Sequence, residues 1–429
     1  MTLSVKSVLG DPLAHLSDGL LENLFAEYPK RDFQIRLWDD SVWGRTDKPR
    51  FALIIKHPEA LRRMFIEPSE LAVGEAYIFG DFDIEGDIEA AFELADYLLN
   101  QERSLWKRFD LVRWLQKLPT NHRPRTRLPP PLGRTTDSRE RDRQAISYHY
   151  DVPTGFYSLW LDERMVYSCA YFATSEEDLE TAQQRKLDYI CRKLRLRRGD
   201  RLLDLGCGWG ALMMHAAAHY GVEVVGITLS VPQAEFARRR IRDAGLNERC
   251  RVEVCDYRDF ESSVQYDKIA SVGMCEHVGE AVLPQYFKRA WDLLHPGGVF
   301  LNHGISYSAI YHRRGPSFTD RYVFPNGDLV PISTSLRAAE LSGFEVRDVE
   351  SLREHYVLTL HHWLRRLEAH SEQAQRITSE TSYRIRRLHL AGAVHGFRNG
   401  RFSVHEALLA KPLHGETVLP LTREDWYSA

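Results

Sequence analysis

Residues 201–210 read Arg201-Leu202-Leu203-Asp204-Leu205-Gly206-Cys207-Gly208-Trp209-Gly210. A short apolar run with one acid inside it passes into glycines alternating with larger residues. The apolar run reads as a buried strand, and the following ALMMHAAAHY, residues 211–220, reads as a helix. Glycines at such a junction let the backbone approach a ligand and leave helix N–H groups pointing at it. Downstream the rhythm repeats. VEVVGITL (222–229) is a strand, VPQAEFARRRIRDAG (231–245) a helix, RVEVCD (251–256) and YDKIASVG (266–273) strands, LPQYFKRAWDLL (283–294) a helix and GGVFLNHGI (297–305) a strand. This alternation predicts an α/β fold with a doubly wound parallel sheet. An Arg-rich helical stretch over about 361–390 and a last strand near Phe402–Ala410 follow.

Upstream, the composition changes. LPTNHRPRTRLPPPLGRTTDSRERDR, residues 118–143, is rich in Pro and Arg, and Pro129 to Pro131 forbid a helix through them. We read it as a linker between an α+β domain at 1–117 and a larger domain at 144–429. In the first domain FQIRLWD (33–39) and RFALIIKHP (50–58) read as strands and IEAAFELADYLLNQ (88–101) as a helix. GEAYIFGDFDIEGD, residues 74–87, reads as a loop because of its glycines and acids.

The net charge of -3 gives no global argument for nucleic acid, so no nucleic-acid partner is expected. The six cysteines make no CxxC pair with metal-ligand spacing, so neither a metal nor a disulfide framework is expected. The N-terminus has no charged segment leading into a sustained apolar core, and no run approaches the roughly 20 apolar residues of a membrane span. A cytoplasmic location is expected, with any lipid met from the surface.

The glycine turn satisfies G-x-G-x-x-G/A through Gly206, Gly208 and Ala211, so a dinucleotide has to be considered. That ligand wants an acid about 20 residues on, at the end of the second strand. The chain has GITLS there, residues 226–230. Asp204, ahead of the first glycine, suits the cationic amino-acid end of S-adenosylmethionine, and Asp256 at the third strand's end suits an adenine amino group. Tight packing alone would also explain the glycines, but the set of strand ends favours the cofactor.

With those residues in view, the stretch from Tyr148 to Lys411 closely resembles the cyclopropane fatty acid synthases and their mycolic-acid relatives. The shared strings are HYDVPTGFYSLWLD (149–162), MVYSCAYF (165–172), LLDLGCGWG (202–210), GITLS with Gln233, DYRDF (256–260), SVGMCEHVG (271–279), FLNHGIS (300–306), DRYVFP (320–325) and LREHYVLTL (352–360). Residues 74–87 resemble the smaller N-terminal domain of the bacterial synthases. The resemblance implies a Rossmann-like class I methyltransferase sheet with helical additions. It places Tyr167 and Ser168 beside the cofactor, Asp204, Gly206 and Gly208 at its amino-acid portion, Thr228, Leu229 and Gln233 at its ribose, and Asp256 and Tyr257 at its adenine. It further implies a bicarbonate ion in a pocket formed by Cys169, Glu276, His303, Ile305 and Tyr356. In this reading Glu276 orients the ion by accepting its proton, and His303 and Tyr356 donate to it. Mycolic-acid relatives carry a last-strand cysteine where this chain has Leu409.

The implied reaction adds a methylene group to the cis double bond of a phospholipid acyl chain. An alkene is a weak nucleophile and must be held in line with the methyl donor. Methyl transfer leaves a carbocation, which calls for a dry pocket and aromatic faces. Tyr148, Tyr150, Phe156, Tyr157, Tyr171 and Phe172 are candidates for that wall. Ring closure then needs a base to take one proton from the new methyl group. Substrate of this kind is met at a bilayer, at the inner face of the membrane. Arg123, Arg125, Arg127 and Arg134 in the linker and Arg365, Arg366, Arg384, Arg386 and Arg387 in the tail are the candidate docking cations. A methyl- or methylene-branched product, a soluble methyl acceptor and a non-catalytic lipid-binding protein are the competing readings. The N-terminal domain serves lipid presentation or dimerisation in the resemblance, and a homodimer is left open.

Overall fold

A computed structural model of the chain describes residues 12–44, 46–66, 68–100, 105–120, 152–311, 317–324, 327–417 and 419–427. They form two compact units. The first takes the described residues of Met1–Pro131 together with those of Gly315–Val323 and Glu380–His395; the second takes those of Leu132–Arg314, Phe324–Ser379 and Gly396–Ala429. The first unit is therefore not built from the N-terminal sequence alone. The expected linker falls almost entirely outside the described residues.

In the first unit β1 (Phe33–Arg36), β2 (Val42–Trp43), β3 (Phe51–Ile55) and β4 (Phe82–Gly86) form a sheet in the order β2-β1-β3-β4. β1 and β3 are parallel, and the other pairs antiparallel. Phe33, Ile35, Phe51, Leu53, Phe82 and Ile84 alternate into the core. The stretch 74–87, read from sequence as a loop, is instead the end of a helix (Glu70–Ile78) followed by β4. Ser69 caps that helix by accepting the Ala72 N–H at 3.1 Å. The acids that suggested a loop have tertiary partners: Glu75 accepts from Tyr322 Oη at 2.7 Å, and Asp81 from Arg63 at 3.0 Å.

Three of the expected docking arginines also belong inside this unit. Arg384, Arg386 and Arg387 are 7%, 7% and 8% exposed. Arg384 donates to the carbonyls of Tyr77 (2.9 Å) and Phe82 (2.8 Å) and pairs with Asp83, while Arg387 donates to Tyr77 Oη at 2.8 Å. Arg384 and Arg387 tie their helix to Tyr77 and the start of β4, and all three side chains are withdrawn from the surface. This corrects the expectation, which took a run of like charges for a solvated face. Arg123, Arg125, Arg127 and Arg134 lie outside the described residues.

The second unit is built on a sheet of β5 (Arg201–Leu205), β6 (Glu223–Thr228), β7 (Cys250–Val254), β8 (Tyr266–Val272), β9 (Leu294–Tyr307), β10 (Glu345–Ser351) and β11 (Phe402–Ala410). The strand order is β10-β11-β9-β8-β5-β6-β7. β7, β6, β5, β8 and β9 are parallel, as expected, whereas β11 runs antiparallel to both neighbours. A fully buried strand carries the same apolar residues in either direction, so that reversal left no mark in the sequence. Leu202 packs with helices Leu179–Lys193, Ala211–Tyr220 and Val231–Asp243 on one face, and Leu203 and Leu205 with Leu283–Leu293 and Ile332–Leu341 on the other. In this unit Arg366 pairs with Glu180 at 2.7 Å and Arg365 is exposed. The chain leaves β5 toward β6 on one side and reaches β8 on the other, which opens a crevice at the strands' C-terminal ends. No described helix is long and apolar enough to cross a membrane.

Candidate active site

The crevice is a cleft lined by Tyr167, Ser168, Asp204, Gly206, Gly208, Thr228, Leu229, Gln233 and Tyr257, all expected there. Gly206 and Gly208 take φ of 85° and 53°, and a side chain at Gly208 would meet nothing within 4 Å. The backbone there is open to a ligand. The Gly206 and Cys207 N–H groups donate to the Ile227 carbonyl at 3.0 and 2.9 Å, which ties the turn to β6. Thr228 Oγ1 donates to Gln233 Oε1 at 3.1 Å and accepts from the Ser230 N–H at 3.2 Å, so the β6 end is held rigidly.

Asp204 is 2% exposed, and its Oδ2 has no hydrogen-bond partner among the described residues. Burial pushes its carboxyl up to about 7 against the opposing pull of Lys186. A buried acceptor of this kind is prepared for a cationic donor. Lys186, which sequence reasoning missed, lies 1% exposed in the same cleft and donates to Ser168 Oγ at 2.8 Å. Burial lowers it to about 8, while Asp162, Cys169, Glu406 and Asp204 pull the other way. In a helix reading LETAQQRKLDYICRK it resembled one more solvated cation. Trp209, Met274 and His277 also line the cleft, the last held down to about 4 by burial. Asp256 is not part of the lining. Arg258 occupies its carboxylate at 2.6 and 2.8 Å, where the sequence reading had it facing an adenine.

Of the residues expected around bicarbonate, Cys169 follows Ser168 and Glu276 precedes His277, both of which line the cleft. Glu276 sits on a 3₁₀ turn, Cys275–His277, directly after β8. Its Oε1 accepts the Ile305 N–H at 2.8 Å, whereas Oε2 is buried without a partner among the described residues. Burial raises it to about 7, opposed by backbone N–H donors. His303, on β9, is 2% exposed, and its Nδ1 lies 3.1 Å from Glu406 Oε1 on β11. Burial lowers its basicity, and Glu406 opposes that. The Cys169 thiol points to the carbonyls of Ala170 (3.3 Å) and Leu352 (3.7 Å), and burial raises it well above the usual thiol range, so it is no nucleophile. Tyr356 donates its backbone N–H to that Leu352 carbonyl and packs its ring on Phe397 at 4.7 Å. The charge of Glu406 reaches both His303 and Cys169. Leu409 is fully buried on β11.

An aromatic cluster reaches the cleft through Tyr167 and Trp209, and its members differ from those expected. Tyr157 packs on Trp209 (5.0 Å), Tyr167 (5.7 Å) and Trp160 (5.4 Å), and Trp363 closes on Tyr167 at 5.2 Å, with Phe156 beside Tyr157. The tryptophans were not anticipated. Tyr171 stacks instead on His355, and Phe172 on His362. Tyr148 and Tyr150 lie outside the described residues.

Residues 137–407 match the family model described as mycolic acid cyclopropane synthetase, and residues 20–107 match a domain of unknown function. The chain is 40% identical over 399 residues to a protein of Pseudomonas putida named probable fatty acid methyltransferase, covering 92% of this chain and 96% of that one. It is 31% identical to the tuberculostearic acid methyltransferase UfaA1 of Mycobacterium tuberculosis, covering 87% and 86%. A solved mycolic acid cyclopropane synthase, CmaA1 in complex with SAH and CTAB, superposes with a TM-score of 0.60 at 35% identity. That match covers 63% of this chain and 98% of the other.

Proposed function

We propose that this chain, which belongs to the mycolic acid cyclopropane synthetase family of S-adenosylmethionine-dependent methyltransferases, builds a cyclopropane ring on the cis double bond of phospholipid acyl chains. The observation that carries the reading is Glu276, a buried carboxyl with one oxygen fixed by the Ile305 N–H and the other left unpartnered. A buried acceptor without a donor costs about 1–3 kcal/mol, so a protein that retains one has a use for it.

The cleft fits S-adenosylmethionine on the chain's own terms. The unpartnered Asp204 oxygen offers an acceptor for an ammonium group, and the backbone at Gly208 is open. When bound, this cofactor supplies an electrophilic methyl group. Tyr167, Trp209 and the aromatic residues behind them exclude water and face positive charge with their rings. After methyl transfer to one alkene carbon, the cation on the other is discharged when a proton leaves the new methyl group and the C–H electron pair closes the ring. Glu276 and the Ile305 N–H flank the place where a small oxyanion base would be held, with His303, Tyr356 and the backbone at Cys169 around it. Bicarbonate suits that donor and acceptor set. We assign the substrate to the inner face of a membrane. Lipid presentation or dimerisation remains our assignment for residues 1–117, with 118–143 as linker.

One observation favours a second reading. Relatives that span 92%, 95% and 87% of this chain are named probable fatty acid methyltransferase, in two cases, and tuberculostearic acid methyltransferase. Loss of a proton from the neighbouring chain carbon, with the methyl group intact, gives a methyl-branched alkene, and a saturated branch requires a hydride from a further reactant. To decide, purified protein is incubated with S-adenosylmethionine and liposomes of cis-monounsaturated phospholipid, and the fatty acids are analysed by mass spectrometry and proton NMR. A gain of one CH2 with upfield ring protons and no vinyl signal supports the ring. The same mass gain with vinyl or methylene signals moves the product to a branched chain. No lipid product despite tight cofactor binding overturns the lipid reading.

A further inference from the structure

His303 and Glu406 are direct partners across the antiparallel β9–β11 ladder. Both are almost wholly buried, as is Lys193 at the end of helix Leu179–Lys193. Lys193 Nζ donates to Glu406 Oε2 at 2.8 Å and also to Glu350, and it lies over the rings of Tyr189 (4.5 Å) and Trp426 (5.4 Å). Glu406 thus has one oxygen facing an ammonium and the other facing an imidazole nitrogen. None of these three residues other than His303 figures in the reaction as derived so far.

From this arrangement we propose that Glu406, anchored by Lys193, is the positioning residue that fixes His303 with its proton on Nδ1 and leaves Nε2 as a proton acceptor. The argument is one of hydrogen-bond supply. A carboxylate next to a buried ammonium is ionised and has only lone pairs to offer. Burial alone would raise Glu406, but Lys193 and His303 outweigh it and hold the group at about 2. Nδ1 must therefore be the donor. Burial and the positive charges of Lys186 and Lys193 keep the ring neutral, and a neutral imidazole has a single N–H. That proton is spent on Glu406. Nε2, which has no protein partner among the described residues, is then a bare acceptor.

This reverses the part assigned to His303 from sequence, where it was to donate. It also deepens the proposed reaction, on which its catalytic significance rests. A proton released at the site can settle on Nε2, and the imidazolium so formed sits against an ionised carboxylate across 3.1 Å. Glu406 acts only through His303.

The test is nitrogen NMR of the full-length protein labelled with 15N-histidine, with the His303 signals assigned by their loss in His303→Gln. The expected spectrum has a protonated Nδ1 and an unprotonated Nε2 at neutral pH. In Glu406→Gln the tautomers should mix, and kcat should fall about 10- to 100-fold with KM for S-adenosylmethionine unchanged. A wild-type spectrum with the proton on Nε2, or with both nitrogens protonated, overturns the proposal. So does a Glu406→Gln variant whose tautomer and kcat match the wild type. Should Glu406→Gln fail to fold, the wild-type spectrum still decides. That spectrum requires no substrate, so failure of the lipid reading leaves the assignment of the tautomer standing or falling by itself.

Discussion

Replacing Asp204 by Asn should change not only how tightly the cofactor is held but how that affinity responds to pH. In the free protein burial raises the Asp204 carboxyl to about 7, with Lys186 close enough to oppose the rise. A cationic amino group docked on the unpartnered Oδ2 favours the ionised form, so the carboxyl must be lower in the complex than in the free protein. The sign follows. Affinity is complete well above pH 7 and declines as pH falls, because protonated Asp204 must first lose its proton. With a free value near 7, S-adenosylhomocysteine should bind about twofold more weakly at pH 7 than at pH 8, and about tenfold more weakly at pH 6. Lys186, lowered only to about 8, stays largely protonated over most of this range. A charge-assisted hydrogen bond of about 1.5–3 kcal/mol makes Asp204→Asn roughly 10- to 100-fold weaker at pH 8, with little further loss at pH 6. Isothermal titration calorimetry in buffers of different ionisation enthalpy measures both the dissociation constant and the proton released on binding. A wild-type affinity that is flat with pH, or an Asn variant that keeps the wild-type slope, would refute the reasoning.

The same titration applied to Lys186→Met should show the pH midpoint displaced upward, since the cation that favours ionised Asp204 is gone. Glu276→Gln should abolish lipid modification while leaving S-adenosylhomocysteine binding intact, as product analysis and calorimetry together would show. The same variant should be more stable than wild type in alkali. A carboxyl raised to about 7 by burial holds its proton better in the folded than in the unfolded chain, so its stabilising effect fades as pH rises through that window. The gain in Gln, at most about 3 kcal/mol, should appear as a higher Tm at pH 8 and vanish near pH 4. Arg384→Ala should lower urea stability by about 3 kcal/mol, with no loss of liposome binding beyond what that unfolding accounts for.

The strands and helices around Asp204 were legible because each is a compact apolar block with a clear stop, and a glycine turn in such a setting has few uses. Asp204, Gly206 and Gly208 could be read from that turn itself, whereas Tyr167, Ser168, Thr228, Leu229, Gln233 and Tyr257, which also line the cleft, were named only through the family resemblance. What stayed hidden depends on contacts between distant residues. Lys186 and Lys193 look like surface cations in a charged helix, yet each is 1% exposed and finds its partner in Ser168 or Glu406. The three tail arginines misled in the same way, since a guanidinium satisfied by backbone carbonyls looks no different in sequence from one in water. Asp256 has a partner of its own close by. Arg258, two residues on, reaches back to claim it, a short-range pairing that could have been seen.

Glu380–His395 completes the first unit more than 250 residues after that unit's own strands, which bears on how the protein is made. On a ribosome the N-terminal part of a chain generally folds as it emerges, at about 5–20 residues per second. Here β4 and Tyr77 must wait for Arg384 and Arg387, so for roughly 15–60 s of synthesis the oxygens they will bind lack their donors. Such a chain cannot mature vectorially, one half at a time. The helix that carries those arginines makes folding of the first unit conditional on nearly the whole message having been translated.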